Sequence, residues 1–322
     1  MTLFNKVTLL KETLEGSIIG QKKLVERLLL ALTADGHLLV EGAPGLAKTK
    51  SIKALSEHIE ADFHRIQFTP DLLPADITGT EVYNPHEGTF SFQRGPVFHN
   101  LILADEINRA AAKVQSALLE AMGERQVSVG NKTYELPKLF LVMATQNPLE
   151  QEGTFALPEA QLDRFMMHVR IDYPDKDTER KILELNRREA MALEKGPRQE
   201  KILLSQSDIF SMRKAVYEIH LDPAVEEYLI QIIMATRHPE KYSAHLRSFI
   251  EYGASPRGTI YLDRCARAWA YLNNQDYVAP SHIQEVVFEV LRHRIGLTFE
   301  AESQGISTDQ VIEDILTHVP LP

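Results

Sequence analysis

Cysteine and tryptophan are almost absent: Cys265 and Trp269 stand alone in 322 residues. A single thiol excludes an intramolecular disulfide and a cysteine-rich metal site, the pattern expected of a chain kept in a reducing compartment. A small buried apolar residue is the simplest role for Cys265. Positive charge is also in deficit, 35 Lys and Arg against 45 Asp and Glu, for a formal charge of −10. That balance argues against general binding to nucleic acid or to an anionic membrane, although it leaves room for a local basic patch. Long uncharged apolar runs are missing too. Lys6, Lys11, Glu12 and Glu15 interrupt the N-terminal apolar residues, so neither a signal-peptide core nor a membrane span is expected, and the cytoplasm is the expected location.

What is present is enough apolar sequence, 44%, to bury a substantial core and fill two domains. Leu24, Leu28 and Leu32 recur at helical spacing ahead of the buried-strand pattern His37 to Glu41. A glycine-rich turn follows, then a helix marked by Ile52, Leu55 and Ile59 and ending near Ala61, then a second strand from Phe63 to Phe68. Further strands are expected at Leu101 to Ala104, Leu139 to Ala144 and Met166 to Ile171, with a helix marked by Val114, Leu118 and Met122. Strands alternating with helices imply a largely parallel sheet covered on both faces. Glu81 to Phe92 and Gln126 to Leu136 instead carry turn residues between short alternating runs and read as projecting hairpins. Asp175 to Arg188 reads as an amphipathic helix. Beyond Tyr173-Pro174 the strand signals stop and helix caps take over, at Asp222-Pro223, Ser255-Pro256 and Ser307 to Gln310. The expectation is an α/β domain over 1–173 and an all-helical one over 174–322.

The turn reads Gly42-Ala43-Pro44-Gly45-Leu46-Ala47-Lys48-Thr49. Backbone amides at a strand-to-helix turn and the positive helix end can cradle a phosphate chain, with Lys48 at the β/γ-phosphates and Thr49 on Mg²⁺. Ala47 stands where the generic motif has Gly, which is acceptable if its φ is negative. The alternative is a helix-capping turn with a solvated Lys48. Leu101 to Glu106 ends a buried strand in adjacent acids, suited to holding a metal's water (Asp105) and orienting an attacking water (Glu106). An acidic loop capping the next helix is the plainer reading of that pair.

The turn resembles the Walker A loop of the MoxR family of AAA+ ATPases, in which Ala before Lys is usual. Arg65 to Gly79, Gly95-Pro96-Val97-Phe98 and Ala104 to Ala110 resemble segments of the same family. Ala144-Thr145-Gln146-Asn147-Pro148 is similar to its sensor 1, and Leu157 to Phe165 to its arginine-finger segment. Gly253-Ala254-Ser255-Pro256-Arg257-Gly258 is similar to its sensor 2, Ile18-Ile19-Gly20-Gln21 to its adenine-side segment, and Val290 to Ile295 to its C-terminal helix. Ala111, Val114 and Gly123 depart from the family's usual residues, away from the phosphate loop.

The resemblance implies a P-loop AAA+ core with a helical lid, in the branch that places the hairpin at Glu81 to Phe92 near a ring's pore. It implies ATP and Mg²⁺ as ligands, assembly into a ring, as a hexamer, and hydrolysis that swings the helical domain to remodel a protein client. Gly42 through Thr49 and Gln21 would bind nucleotide, Thr49 and Asp105 the metal. Glu106, Asn147, Arg164 and Arg257 would serve hydrolysis, with Arg164 reaching a neighbouring subunit's ATP. Clients in this family often accompany proteins with von Willebrand factor A domains. Plainer readings stay open: Asn147-Pro148 as a turn, Arg164 paired with Asp163 or Glu159, Arg257 as a surface arginine. Tyr83, Phe90 and Phe92 either grip a substrate or pack on their own hairpin. Two other functions compete, a nucleic-acid motor and a subunit that binds nucleotide mainly to hold an assembly together. Neither insert is basic, and an intact Glu106, Asn147 and Arg164 favour hydrolysis.

Overall fold

The computed structural model describes residues 2–148, 153–193 and 201–322. Contacts divide the chain into two units. The first comprises residues 1–29, 37–157 and 169–209; the second, 30–36, 158–168 and 210–322. The division differs from a single cut after residue 173. Residues 169–209 stay with the first unit because helix and strand contacts hold them there, among them the Ile59 to Leu204 bridge. Residues 158–168 join the second unit, held by side chains from far along the chain.

In the first unit, α1 (Leu3–Ser17) and α2 (Lys22–Ala34) precede β1 (Leu38–Glu41), α3 (Lys48–His58), β2 (Phe63–Gln67) and α4 (Pro74–Thr78). β3 (Gly79–Asn84) pairs with β4 (Thr89–Arg94), and β5 (Leu101–Asp105), α5 (Ala112–Glu124), β6 (Gln126–Val129), β7 (Lys132–Glu135) and β8 (Leu141–Gln146) follow. After α6 (Glu159–Leu162), which belongs to the second unit, come β9 (Met167–Arg170) and α7 (Lys176–Leu193).

The main sheet runs in the order β2-β5-β8-β1-β9, and β1, β2, β5 and β8 pair in parallel. Leu38 to Val40, Leu101 to Ala104 and Leu141 to Ala144 are all fully buried. That continuous apolar character is what a strand covered on both faces requires. The register sets Leu38 and Leu103 beside Met143, and Gln67 beside Asp105. The carboxyl ends of β1, β5 and β8 therefore lie along one edge, where open α/β sheets place their ligands.

The expected hairpins are present as β3–β4 and β6–β7. Gly79 has φ +96, and a Cβ there would sit 2.2 Å from Gln93 O, so only glycine closes the base of the first hairpin. Phe92 lies opposite Glu81 in the ladder, and its ring contacts reach beyond the hairpin. It stacks on Tyr134 of β7 at 4.1 Å and meets Phe98 edge-on at 5.7 Å, which joins the two hairpins. Tyr83 and Phe90 face each other across the first hairpin at 5.1 Å and stay exposed.

The second unit is built on α8 (Gln206–Glu218), α9 (Pro223–Arg237), α10 (Ala244–Phe249), α11 (Pro256–Leu272), α12 (Pro280–Leu291), α13 (Phe299–Ser303) and α14 (Thr308–His318). All three caps expected from sequence form: Asp222, Ser255 and Ser307 each accept a hydrogen bond from the first turn that follows. One feature lies outside the helical expectation, a short antiparallel ribbon of β10 (Ile250–Tyr252) and β11 (Gly296–Leu297). Cys265 is fully buried. Among the described residues no helix is long and apolar enough to cross a membrane.

Candidate functional site

β1 delivers the chain into the turn beginning at Gly42. A Cβ at Gly42 would lie 2.4 Å from Ile171 Cγ1 and 2.8 Å from Ile171 O, so glycine is required by close approach. Gly45 has φ +84. Ala47 departs from expectation: its φ is +57, in the left-handed region, not negative. A Cβ there costs about 1–2 kcal/mol. Ala47 is the residue before α3, where an ordinary helix-capping residue would be extended, so the left-handed φ belongs to this turn and not to capping. Alanine supplies no side-chain cap, and the first turn of α3 holds no acid. That helix end is therefore left positive, as an anion site requires. The Lys48 ammonium folds back and donates to Gly42 O at 2.6 Å and Gln146 O at 3.4 Å, at the ends of β1 and β8. Thr49 lies in the same first turn, half-buried.

β5 ends in the paired acids. Asp105 Oδ1 accepts from Thr145 Oγ1 at 2.6 Å, and Oδ2 accepts from Arg65 Nε at 3.0 Å and Nη2 at 2.7 Å. Glu106 adopts a left-handed backbone, φ +56, and donates its N–H to Thr145 Oγ1 at 2.9 Å. Its carboxylate accepts from Gln67 Nε2 at 2.9 Å and from Arg109 Nη1 at 3.0 Å. Four polar side chains that hold the acids were thus missed as individuals. Two carried a signal: Arg65 and Gln67 alternate on β2, so they share a face, and the strand next to β2 is the one ending in the acids.

Asn147 follows β8 directly and is buried. Gln21 is also buried and donates to Asp172 O at 3.4 Å. It lines a cavity of about 320 Å³ with Ile18, Leu46, Ala47, Tyr173 and Ile182. A mostly apolar recess of that size, beside a turn of backbone amides, matches small-ligand pockets in general. These residues all belong to the first unit.

Arg164 and Arg257 belong to the second. Arg164 is half-buried just beyond α6. Of the carboxylates near it in sequence, Glu159 acts together with burial, the larger cause, to raise the pKa of the Tyr252 phenol. Asp163 accepts from Ser255 Oγ at 2.8 and 2.9 Å and from Arg294 Nε at 2.9 Å. Arg257 sits in the first turn of α11, its Nη1 3.5 Å from Asp163 Oδ2.

Ligand fit is testable on these observations. An uncapped helix start with Thr49 in its first turn, a glycine whose Cβ space is closed by Ile171, an ammonium at the ends of β1 and β8 and a carboxylate at the end of β5 fit a phosphate chain with a hard cation.

The sequence profile of the "ATPase family associated with various cellular activities (AAA)" matches residues 37–167, and that of the AAA lid domain matches residues 244–315. Chaperone MoxR1 of Mycobacterium tuberculosis is 44% identical over 306 residues, spanning 95% of this chain and 79% of that protein. Protein MoxR of Methylorubrum extorquens is 31% identical, spanning 95% and 92%. A crystal structure of an inferred ATPase from Cytophaga hutchinsonii superposes with a TM-score of 0.91 at 48% identity, covering 99% of this chain and 96% of that one. The chain is therefore an ATPase and belongs to the MoxR family of AAA ATPases.

Proposed function

We propose that this ATPase hydrolyses MgATP in a ring, hexameric by resemblance, and uses the cycle to remodel or mature a protein client. The observation that carries the reading is the placement of the Lys48 ammonium at the ends of β1 and β8 beside a carboxylate pair fixed by Thr145 at the end of β5.

In this reading the amides from Gly42 to Thr49 hold the phosphate chain, and Lys48 balances charge at the β/γ-phosphates. Gln21 and the apolar recess at Ile18, Leu46 and Tyr173 receive the base. Thr49 and Asp105 would hold Mg²⁺, which supplies charge neutralisation on the phosphates. Glu106 orients the attacking water and takes its proton, and Asn147 contacts the γ-phosphate or that water. Arg65 and Thr145 engage the two oxygens of Asp105 and fix the carboxylate that would hold the metal's water. Arg164 acts on the ATP of a neighbouring subunit, and Arg257 on the γ-phosphate.

A protein client is favoured by the name chaperone borne by the M. tuberculosis relative and by the acidic overall charge. A von Willebrand factor A-domain protein is the partner class that the resemblance favours.

The test is direct. Wild type binds MgATP, Lys48→Ala loses that binding, and Glu106→Gln binds but hydrolyses about 10²-fold or more slowly. Arg164→Ala subunits mixed with Lys48→Ala subunits recover hydrolysis, each supplying what the other lacks. Folded wild type without affinity for MgATP ends the reading, and stimulation by DNA at physiological salt replaces the protein client with a nucleic acid.

A further inference from the structure

The second unit contains a clamp that the proposed mechanism does not use. Three consecutive side chains beyond α12 grip the backbone around Arg164. Arg292 Nη1 donates to His168 O at 2.7 Å while its fork pairs with Asp309 at 2.9 Å. His293 Nε2 lies 3.0 Å from Phe165 O. Arg294 Nη2 donates to Asp163 O at 2.9 Å and to Phe165 O at 2.6 Å, the carbonyls on either side of Arg164.

Arg294 is fully buried and closes on the Asp163 carboxylate at 2.9 Å. Such a cation is tolerated only with its partner in place. Gly258 makes room for it: a Cβ there would stand 3.3 Å from Arg294 Cδ and 3.0 Å from Ala254 Cβ. The same carboxylate holds the start of α11. Ser255 donates to it while capping the N–H of Arg257, and the Arg257 guanidinium approaches its other side. One carboxylate thus meets the residue that caps α11, the arginine two positions later, and the buried arginine that grips the carbonyls flanking Arg164.

We propose that Asp163 is a positioning residue that fixes Arg257 and Arg164 as one pair, so that displacing either arginine displaces the other. The proposal rests on the roles given to those arginines above. The Asp163 carboxylate is half-buried and its short bonds to Ser255 and Arg294 are the firm ones, and breaking the latter leaves the buried Arg294 guanidinium without its counter-charge. A phosphate that draws Arg257 away from Asp163 therefore acts on the residue next to Arg164, which links one nucleotide's state to the arginine offered to a second.

The test uses the full chain and two readouts. The first is the ratio of affinities for a non-hydrolysable ATP analogue and ADP, by direct titration, which reports Arg257. The second is recovery of hydrolysis when Lys48→Ala subunits supply Arg164 to Arg164→Ala subunits. Asp163→Asn, placed in the Lys48→Ala subunit for the second readout, is expected to lower the affinity ratio roughly tenfold and to abolish the recovery. Asp163→Glu restores part of both. Should Asp163→Asn fail to fold, Ser255→Ala cuts the same link from the α11 side while leaving the Arg294 pair intact, and is expected to move both readouts in the same direction. Folded variants that keep both readouts, or lose only one, overturn the proposal, because the arginines are then held independently. Arg257→Ala and Arg164→Ala separate this failure from that of the parent reading: if they leave their own readouts unchanged, the roles assigned to the arginines are wrong.

Discussion

Thr145 joins the two acids through one hydroxyl, which donates to Asp105 Oδ1 at 2.6 Å and accepts the Glu106 N–H at 2.9 Å. Thr145 is fully buried, so water has no access to replace it. Thr145→Val keeps the shape and removes both bonds. Leaving a buried polar group unpaired costs about 1–3 kcal/mol, and both carboxylates lose their orientation. The expected outcome is a lower urea midpoint together with a fall in ATPase rate larger than any change in MgATP affinity. Thr145→Ser retains the hydroxyl and should retain both properties.

Ala47 gives a second prediction, because a left-handed φ of +57 ranks substitutions by their backbone freedom. Glycine reaches that region without penalty, alanine at about 1–2 kcal/mol, and a β-branched residue at more. Ala47→Gly should be at least as stable as wild type, the relief being offset in part by the entropy of the unfolded glycine. Ala47→Val should unfold at lower urea. A stability order of valine above alanine would show that the turn does not hold this backbone.

How much of this was readable in sequence follows from where each partner lies in the chain. The motifs containing Lys48, Thr49, Asp105 and Glu106 are visible in sequence because strand-turn patterns are local. The parallel sheet was legible for the same reason, in runs such as Leu101 to Ala104. The sign of φ at Ala47 was not, since alanine carries no preference for the left-handed region that the turn imposes. The partners of Asp163 are 92 and 131 residues away, and no spacing rule connects them. The contacts divide the chain elsewhere than residue 173, and sequence does not show this because Ile182 and Leu185 look like any amphipathic helix. Only the structure shows them lining a cavity with Ile18 and Leu46.

The hairpin aromatics divide into two kinds, and substitution should separate them. Phe92 stacks on Tyr134 at 4.1 Å and ties one hairpin to the other. Phe90 is 66% exposed. Phe92→Ala removes an aromatic pair worth about 0.5–1.5 kcal/mol plus the apolar area it covers. A lower thermal midpoint is expected, with faster amide exchange in β6 and β7. Phe90→Ala should stay within about 0.5 kcal/mol of wild type. If client-stimulated hydrolysis falls in Phe90→Ala at unchanged stability, the exposed ring is a contact and not a support.

Stability should also fall on the acid side of neutrality. Burial lowers the pKa of His293 well below its usual value, aided by the charges of Arg294 and Arg292 and by His168, with the Phe165 carbonyl opposing. Burial likewise lowers His282, and burial with the neighbouring His99 lowers His64. A histidine whose folded pKa is depressed favours the folded state above its unfolded value, about 6.5. As pH drops below that value the unfolded chain takes up the proton first, and the stabilisation is lost until the folded pKa is passed. For His293 alone the slope is on the order of 1 kcal/mol per pH unit. Urea midpoints should therefore be flat from pH 8 to about 7 and decline from there to 5. In His293→Gln, which retains an amide donor for Phe165 O, the decline should be shallower. An equally steep decline in that variant would place the acid sensitivity in other groups.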